Sequence, residues 1–178
     1  VATNSGVYRS IDYGLTFNLE QTGLFFGVHH STNNTFYATT SGFNPKIYKS
    51  TDAGDTWTLL SNGLPASGRY RCEIAVSPSN PNKIYALFGD NNYGFGGLYR
   101  SVNGGASWSL MSSTPNIMGW ANNGTGTGGQ AWYDMSISCD PNSENTIYVG
   151  GVNIWNFTNG GTNCSIVRHL YGAGTTPY

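Results

Sequence analysis

Apolar and polar residues alternate in three short segments that recur along the chain. These segments are Asn34-Thr35-Phe36-Tyr37-Ala38, Asn82-Lys83-Ile84-Tyr85-Ala86 and Asn145-Thr146-Ile147-Tyr148-Val149. Alternation rich in aromatic and β-branched residues is typical of a half-buried β-strand. Apolar segments near residues 24–29, 71–77 and 133–139 precede them, and we predict these as the innermost strands of three sheets. We predict no helix.

A ten-residue cassette follows the strands and occurs four times. The copies begin at Tyr8, Tyr48, Tyr99 and Trp155. Each copy runs from a strand through a Ser-x-Asp-x-Gly turn to Thr and Trp, with substitutions. Successive copies are 40, 51 and 56 positions apart. A repeat of about 40 to 50 residues has the length of a four-stranded propeller blade, so we predict an all-β fold made of antiparallel propeller blades.

The polar residues of the cassette are predicted to be structural. Asp or Asn accepts hydrogen bonds from nearby backbone N–H groups, and Gly adopts the positive φ of a tight turn. The residues at these two positions are Asp12, Gly14, Asp52, Gly54, Asn103, Gly105, Asn159 and Gly161. The fourth copy has Phe157 in place of Ser and Cys164 in place of Trp, and we expect its turn to be formed differently. The cassette cations are Arg9, Lys49 and Arg100, which we expect on a solvated strand face.

The repeats divide the chain into about three and a half blades of a larger propeller. Residues 1–19 would end one blade, 20–64, 65–115 and 116–168 would form three more, and 169–178 would start the next. Propellers close at four or more blades. The remaining blades must therefore come from a longer polypeptide, a partner or a docked neighbour, and we favour a longer polypeptide.

The longest loops are the strongest indication of function. The alternation of strand direction places the Pro/Asn turns and the cassettes at one end of each blade and the irregular loops 88–97 and 111–132 at the other. Long loops on a rigid scaffold commonly carry binding sites. The candidate ligand-binding residues on this end are Tyr93, Phe95, Trp120, Gln130, Trp132 and Tyr133. Exposed rings beside amides suit sugar recognition; the alternative is that Trp132 and Tyr133 begin an inner strand and belong to the core.

Asp134 is the best single candidate for catalysis, since it would open an inner strand at the central channel. A glycosidase generally needs two carboxylates about 5 to 10 Å apart, and neither Glu73 nor Asp90 forms an evident pair with it. Arg71 occupies the matching position one blade earlier, so it could pair with Asp134 or bind an anionic group. The alternative is that Asp134 only donates or accepts hydrogen bonds in the channel.

Composition excludes several classes of function. Charged residues make up 10% of the chain and the net charge is −1, so no basic stripe exists to bind nucleic acid. No apolar run of about 18 residues could span a membrane. His29, His30 and His169 have no metal-site spacing, and no cofactor motif occurs. We expect Cys72, Cys139 and Cys164 not to pair with one another, because Cys72 and Cys139 fall at opposite ends of equivalent strands.

The cassettes, together with Gly129-Gln130-Ala131-Trp132-Tyr133-Asp134, resemble the Asp-box, or bacterial neuraminidase repeat, of exported sortilin-like and glycosyl-hydrolase-like propellers of Bacteroidetes-type bacteria. This resemblance implies a secreted or cell-surface protein that binds glycan or protein ligands through its long-loop face. It implies, as the alternative, a glycoside hydrolase of sialidase or xyloglucanase type. In that family the Asp-boxes lie on the face away from the ligand.

Overall fold

A computed structural model describes residues 1–32 and 34–168, and these form four antiparallel sheets. The first sheet contains β1 (Gly6–Arg9) and β2 (Asn18–Thr22). Blade 1 contains β3 (Phe25–His30), β4 (Phe36–Thr40), β5 (Ile47–Ser50) and β6 (Thr58–Leu60). Blade 2 contains β7 (Arg69–Val76), β8 (Ile84–Asp90), β9 (Phe95–Ser101) and β10 (Ser109–Ser112). Blade 3 contains β11 (Ser136–Asp140), β12 (Ser143–Gly150), β13 (Ile154–Thr158) and β14 (Asn163–Arg168).

In every sheet, strands that follow one another in sequence are hydrogen-bonded neighbours. This is the predicted all-β architecture of a partial propeller, and that prediction is confirmed. The predicted start of a further blade at 169–178, including His169, lies outside the described residues. No helix in the described ranges is long and apolar enough to cross a membrane.

The hydrophobic core lies between consecutive blades. Strand β8 is buried on both faces: Ile84, Ala86 and Phe88 pack toward blade 1, whereas Tyr85 and Leu87 pack toward blade 3. Its sequence is therefore almost continuously apolar, because a strand covered on both sides has no solvent face. All three cysteines are free thiols, with Cys72 and Cys139 buried in these two cores and Cys164 half-buried, in agreement with the expectation that they do not pair.

The cassette turn is closed by side-chain hydrogen bonds over eight residues. In blade 1, Ser50 Oγ donates to Asp52 Oδ1 (2.7 Å) and accepts from the N–H of Gly54 (2.8 Å). Asp52 accepts from the N–H (3.0 Å) and the hydroxyl (2.6 Å) of Thr56. Gly54 has φ +89°, and its carbonyl accepts from the indole of Trp57 (3.1 Å).

The copies at Asp12 and Asn103 repeat the Ser and Asp/Asn bonds of this turn. The fourth copy differs, as expected. Without the Ser, the chain forms one turn of 3-10 helix (Asn159–Gly161), and Asn159 Nδ2 donates to Thr162 Oγ1 (2.9 Å).

The cassette cations are structural, as expected, but they are only half-exposed, because each cation reaches the following cassette. The three bonds are Arg9 to the Asp55 carboxylate (2.6 Å), Lys49 to the Gly104 carbonyl (2.8 Å) and Arg100 to the Gly160 carbonyl (3.2 Å). These cations recur once in each of the first three cassettes because each of them links its own blade to the next one.

Candidate ligand-binding surface at the long-loop end

The two ends of the blades carry different loops, as the alternating strand direction predicts. At the cassette end, the N–H of Gly104 donates to the carbonyl of Asn82 (2.9 Å), which joins a cassette to the neighbouring Pro/Asn turn. At the opposite end, the N–H of Asn44 donates to the carbonyl of Arg69 (2.7 Å), and the N–H of Ala131 to the carbonyl of Tyr93 (2.9 Å). We call this second end the long-loop end.

Asn116 organises the long loop before blade 3. Its Oδ1 accepts from the N–H of Phe95 (2.9 Å), and its Nδ2 donates to the carbonyl of Gly128 (2.7 Å). A recess of about 360 Å³ lies between this loop and the β8–β9 turn. Asp90 borders the recess, but its Oδ1 accepts from the N–H groups of Asn92 and Gly94 (2.8 Å each). Asp90 therefore closes its own turn.

Three aromatic rings form a row across blades 1 and 2. The ring of Tyr70, on β7, lies 5.0 Å from the ring of Phe43 and 5.0 Å from that of Tyr93, edge to face in both cases. Phe43 is 64% exposed and Tyr93 is 37% exposed. Sequence reasoning identified Tyr93 but missed Phe43 and Tyr70, because the loop 41–46 is short and Tyr70 is part of a strand.

A second group of rings lies on the long loop itself. Trp132 and Tyr133 are in a turn, 52% and 70% exposed, with ring centroids 5.3 Å apart. Their alternative assignment to the core is wrong, because β11 begins only at Ser136. Trp120 is 54% exposed. Phe95 is only 6% exposed and packs 6.2 Å from the Phe157 ring, so the prediction of an exposed Phe95 ring is wrong.

Arg71 is buried at the junction of blades 2 and 3. Its guanidinium donates to Glu73 Oε1 through Nε (3.1 Å) and Nη2 (2.9 Å). It also donates to the carbonyls of Tyr133 (2.8 Å) and Met135 (3.1 Å). The predicted pair between Arg71 and Asp134 is not formed: the guanidinium bonds to the backbone on either side of Asp134, and its donors already have protein acceptors.

Glu73 and Asp134 have contrasting surroundings. Burial raises the pKa of the Glu73 carboxyl, an effect that the hydrogen bond and the charge of Arg71 oppose. Asp134 is half-exposed in the turn before β11, and its carboxylate makes no hydrogen bond to any residue described by the structure. Gln130 lies in the same turn, and its carbonyl accepts from the N–H groups of Tyr133 and Asp134 (2.9 Å each).

The sequence of this chain is similar to that of a curated enzyme. A xyloglucanase from Paenibacillus sp is 36% identical in an alignment of 141 positions that covers 70% of this chain and 13% of that protein. The chain thus spans a small part of the relative it matches. No protein family model matches the sequence.

Solved structures with a similar fold are also propellers. The GH74 xyloglucanase from Xanthomonas campestris superposes with a TM-score of 0.66 at 20% identity, over 92% of this chain and 26% of its own. The GH74 enzyme from Niastella koreensis gives 0.63 at 23% identity, over 94% and 27%. YCF48 from Cyanidioschyzon merolae gives 0.57 at 16% identity, over 83% and 41%. At these identities the similarity shows a shared fold.

Proposed function

We propose that this chain is part of a secreted glycoside hydrolase-like propeller that binds a glycan across the long-loop end. The observation that carries this proposal is the exposure of aromatic rings from three blades at one end, opposite the cassettes. The row Phe43–Tyr70–Tyr93 is joined to the Trp132–Tyr133 pair through the hydrogen bond between Tyr93 and Ala131. The xyloglucanase similarity supports a glycan as the ligand.

The chemistry of this surface fits a neutral sugar chain. Aromatic rings stack on the apolar faces of pyranose rings, while amides and backbone groups bond the hydroxyls. The amide side chain of Asn92 borders the recess beside Tyr93, whereas the amide of Asn116 already bonds to Phe95 and Gly128. In this proposal the cassettes are Asp-boxes that hold the opposite end of each blade, as in exported sortilin-like propellers.

Asp134 is the proposed acid, base or nucleophile if the protein hydrolyses its ligand, with a second carboxylate supplied by blades outside this chain. Binding without turnover is the second candidate. This candidate is favoured by the surroundings of Glu73 and Asp90, since Glu73 is buried in an ion pair and Asp90 closes a turn. Neither is free to serve as a partner for Asp134.

Tamarind xyloglucan is a suitable probe for the full-length protein, with binding measured by affinity electrophoresis and turnover by reducing-sugar release. Tyr93→Ala and Trp132→Ala should each weaken binding about three- to tenfold, since one ring contact is worth about 0.5–1.5 kcal/mol. Tyr13→Ala is the matched control, because Tyr13 is an exposed tyrosine with nearly the same φ (+60° against +63° for Tyr93) but lies in a cassette.

The Asp134→Asn variant separates the two candidates. Loss of turnover with retained binding supports hydrolysis. Unchanged turnover would exclude a catalytic role for Asp134, and binding without any turnover in the parent protein would favour the second candidate. If neither xyloglucan nor the members of a glycan array bind, the proposed function is wrong.

A further inference from the structure

The position of Asp134 depends on its backbone. The Gln130 carbonyl accepts from the N–H groups of Tyr133 and Asp134 (2.9 Å each) and closes the turn from one side. The Asp134 carboxylate makes no hydrogen bond within the described part of the chain that would hold it in place. Whatever fixes this turn from the other side therefore determines where the carboxylate lies.

The other side of the turn is held by Arg71. Its Nη1 donates to the carbonyls of Tyr133 (2.8 Å) and Trp132 (3.4 Å), and its Nη2 donates to the carbonyl of Met135 (3.1 Å). Two of these acceptors belong to the residues immediately before and after Asp134, and the third belongs to Trp132. One rigid, planar group thus holds the peptide unit that precedes Asp134 and the carbonyl of the residue that follows it.

The guanidinium is itself held in place by residues of two blades. Glu73 Oε1 accepts from Nε and Nη2, which sets the plane of the group. The ring of Phe26, on β3 of blade 1, lies 4.1 Å from Cζ. An arginine can make these contacts at once because its donors form a fixed fork and its face stacks on aromatic rings. A lysine offers one rotating ammonium and cannot reproduce the arrangement.

We infer that Arg71 is a positioning residue that sets the orientation of Asp134 and of the Trp132–Tyr133 pair toward a ligand. The orientation toward a ligand rests on the proposed function, whereas the contacts by which Arg71 holds the turn do not depend on it. Arg71 acts through the backbone of the turn and does not touch the ligand. Phe26 and Glu73 support it from blades 1 and 2, so the candidate site is assembled only where three inner strands meet.

The test compares Arg71→Lys with Arg69→Lys in the full-length protein. Arg69 is the matched control, because it lies two residues away on β7 and its guanidinium, among the described residues, donates only to the adjacent carbonyl of Gly68 (2.9 Å). Hydrogen exchange of the Tyr133 and Asp134 amides reports on the turn and needs no ligand. We expect exchange at least tenfold faster in Arg71→Lys, with the β11 amides unchanged and Arg69→Lys like the parent. Unchanged exchange at the turn would overturn the inference.

A double-mutant cycle for xyloglucan turnover tests whether Arg71 acts through Asp134. Arg71→Lys should lower kcat at least tenfold and raise KM by no more than the roughly three- to tenfold expected for loss of the Trp132 ring. It should have no further effect in the Asp134→Asn background. Equal factors in both backgrounds would overturn the inference, because they would mean that Arg71 acts independently of Asp134.

Failure of the proposed function has a different signature. If the parent neither binds nor hydrolyses a glycan while the turn amides still respond to Arg71→Lys, the positioning role stands and the ligand class is wrong. If Arg71→Lys does not fold, Glu73→Gln takes its place in both measurements. Gln keeps one acceptor but loses the ion pair, so the same changes are expected at about threefold, and their absence overturns the inference.

Discussion

The hydroxyl of Tyr85 in blade 2 donates a hydrogen bond of 2.7 Å to the backbone carbonyl of Glu144 in blade 3. One blade earlier, the corresponding Tyr37 donates to the carbonyl of Gly104 (3.1 Å). Burial raises the pKa of both phenols to about 12, so they remain donors at any ordinary pH. Consecutive blades are therefore joined by buried polar bonds as well as by apolar packing.

Tyr85→Phe should destabilise the protein more than Tyr37→Phe. The first substitution removes the side-chain donor to a part-buried carbonyl, which typically costs about 1–3 kcal/mol. In the second, Lys49 Nζ still donates to the Gly104 carbonyl (2.8 Å), so we expect a loss of about 1 kcal/mol or less. Denaturant unfolding of the two variants gives the comparison. Equal losses would mean that Lys49 does not compensate.

Substitution by Ala should destabilise the protein more at Gly63 than at Gly42. Both have almost the same positive φ, +84° and +83°, so the backbone strain of the substitution is shared. A Cβ at Gly63 would collide with the backbone carbonyl of Trp108 in blade 2, whereas a Cβ at Gly42 meets nothing within 4 Å. We expect Gly42→Ala to cost about 1 kcal/mol and Gly63→Ala about 3 kcal/mol or more. Thermal unfolding measures both, and a similar change in Tm would contradict the close blade contact.

The buried cassette should depend on its Ser more than the exposed one does. Ser50 Oγ satisfies the buried N–H of Gly54, while Ser10 Oγ makes the same bond to Gly14 at an exposed position. Ser50→Ala should lower the free energy of unfolding by about 1–3 kcal/mol, because the N–H is left without a partner. Water can replace the hydroxyl in Ser10→Ala, so this variant should stay within about 0.5 kcal/mol of the parent. Comparable losses in the two variants would show that burial is not the cause.

The cassette geometry could be predicted from sequence because all its partners lie within eight residues of one another. The hydrogen bonds of this turn join only residues of the cassette itself, namely Ser50, Asp52, Gly54 and Thr56. The role of Arg100 could not be predicted in this way, since its acceptor at Gly160 is 60 residues away.

The long-loop end was predicted only in part for a similar reason. Which loops lie at which end of the blades follows from strand direction, and the structure shows that arrangement. Whether a ring on a long loop is exposed depends on what the loop packs against. Phe95 and Trp132 are both aromatic residues flanking long loops, yet one packs beside Phe157 and the other faces solvent. The row through Tyr70 exists only because two blades are adjacent.

Acid should weaken the cassettes that contain Asp. The hydroxyl and N–H of Thr16, followed by the Ser10 hydroxyl, lower the pKa of Asp12 from its ordinary value of 3.8 to about 2. Equivalent bonds from Thr56 and Ser50 lower the pKa of Asp52. Because the folded pKa lies below the unfolded one, this stabilisation is complete above about pH 4 and is lost as the pH falls toward 2.

The Asp12→Asn/Asp52→Asn double variant should remove this acid dependence while keeping the turns. Asn103 shows that an amide fits the position, since its Oδ1 accepts from the N–H of Ser107 and its Nδ2 donates to the Ser107 hydroxyl (2.9 Å each). At pH 7 the Tm of the double variant should be close to that of the parent, whereas the matched Ala variants should unfold at lower temperature at every pH. Between about pH 4 and pH 2 the double variant should lose less stability than the parent. Parallel Tm curves for the two proteins over this range would mean that these carboxylates do not drive acid unfolding.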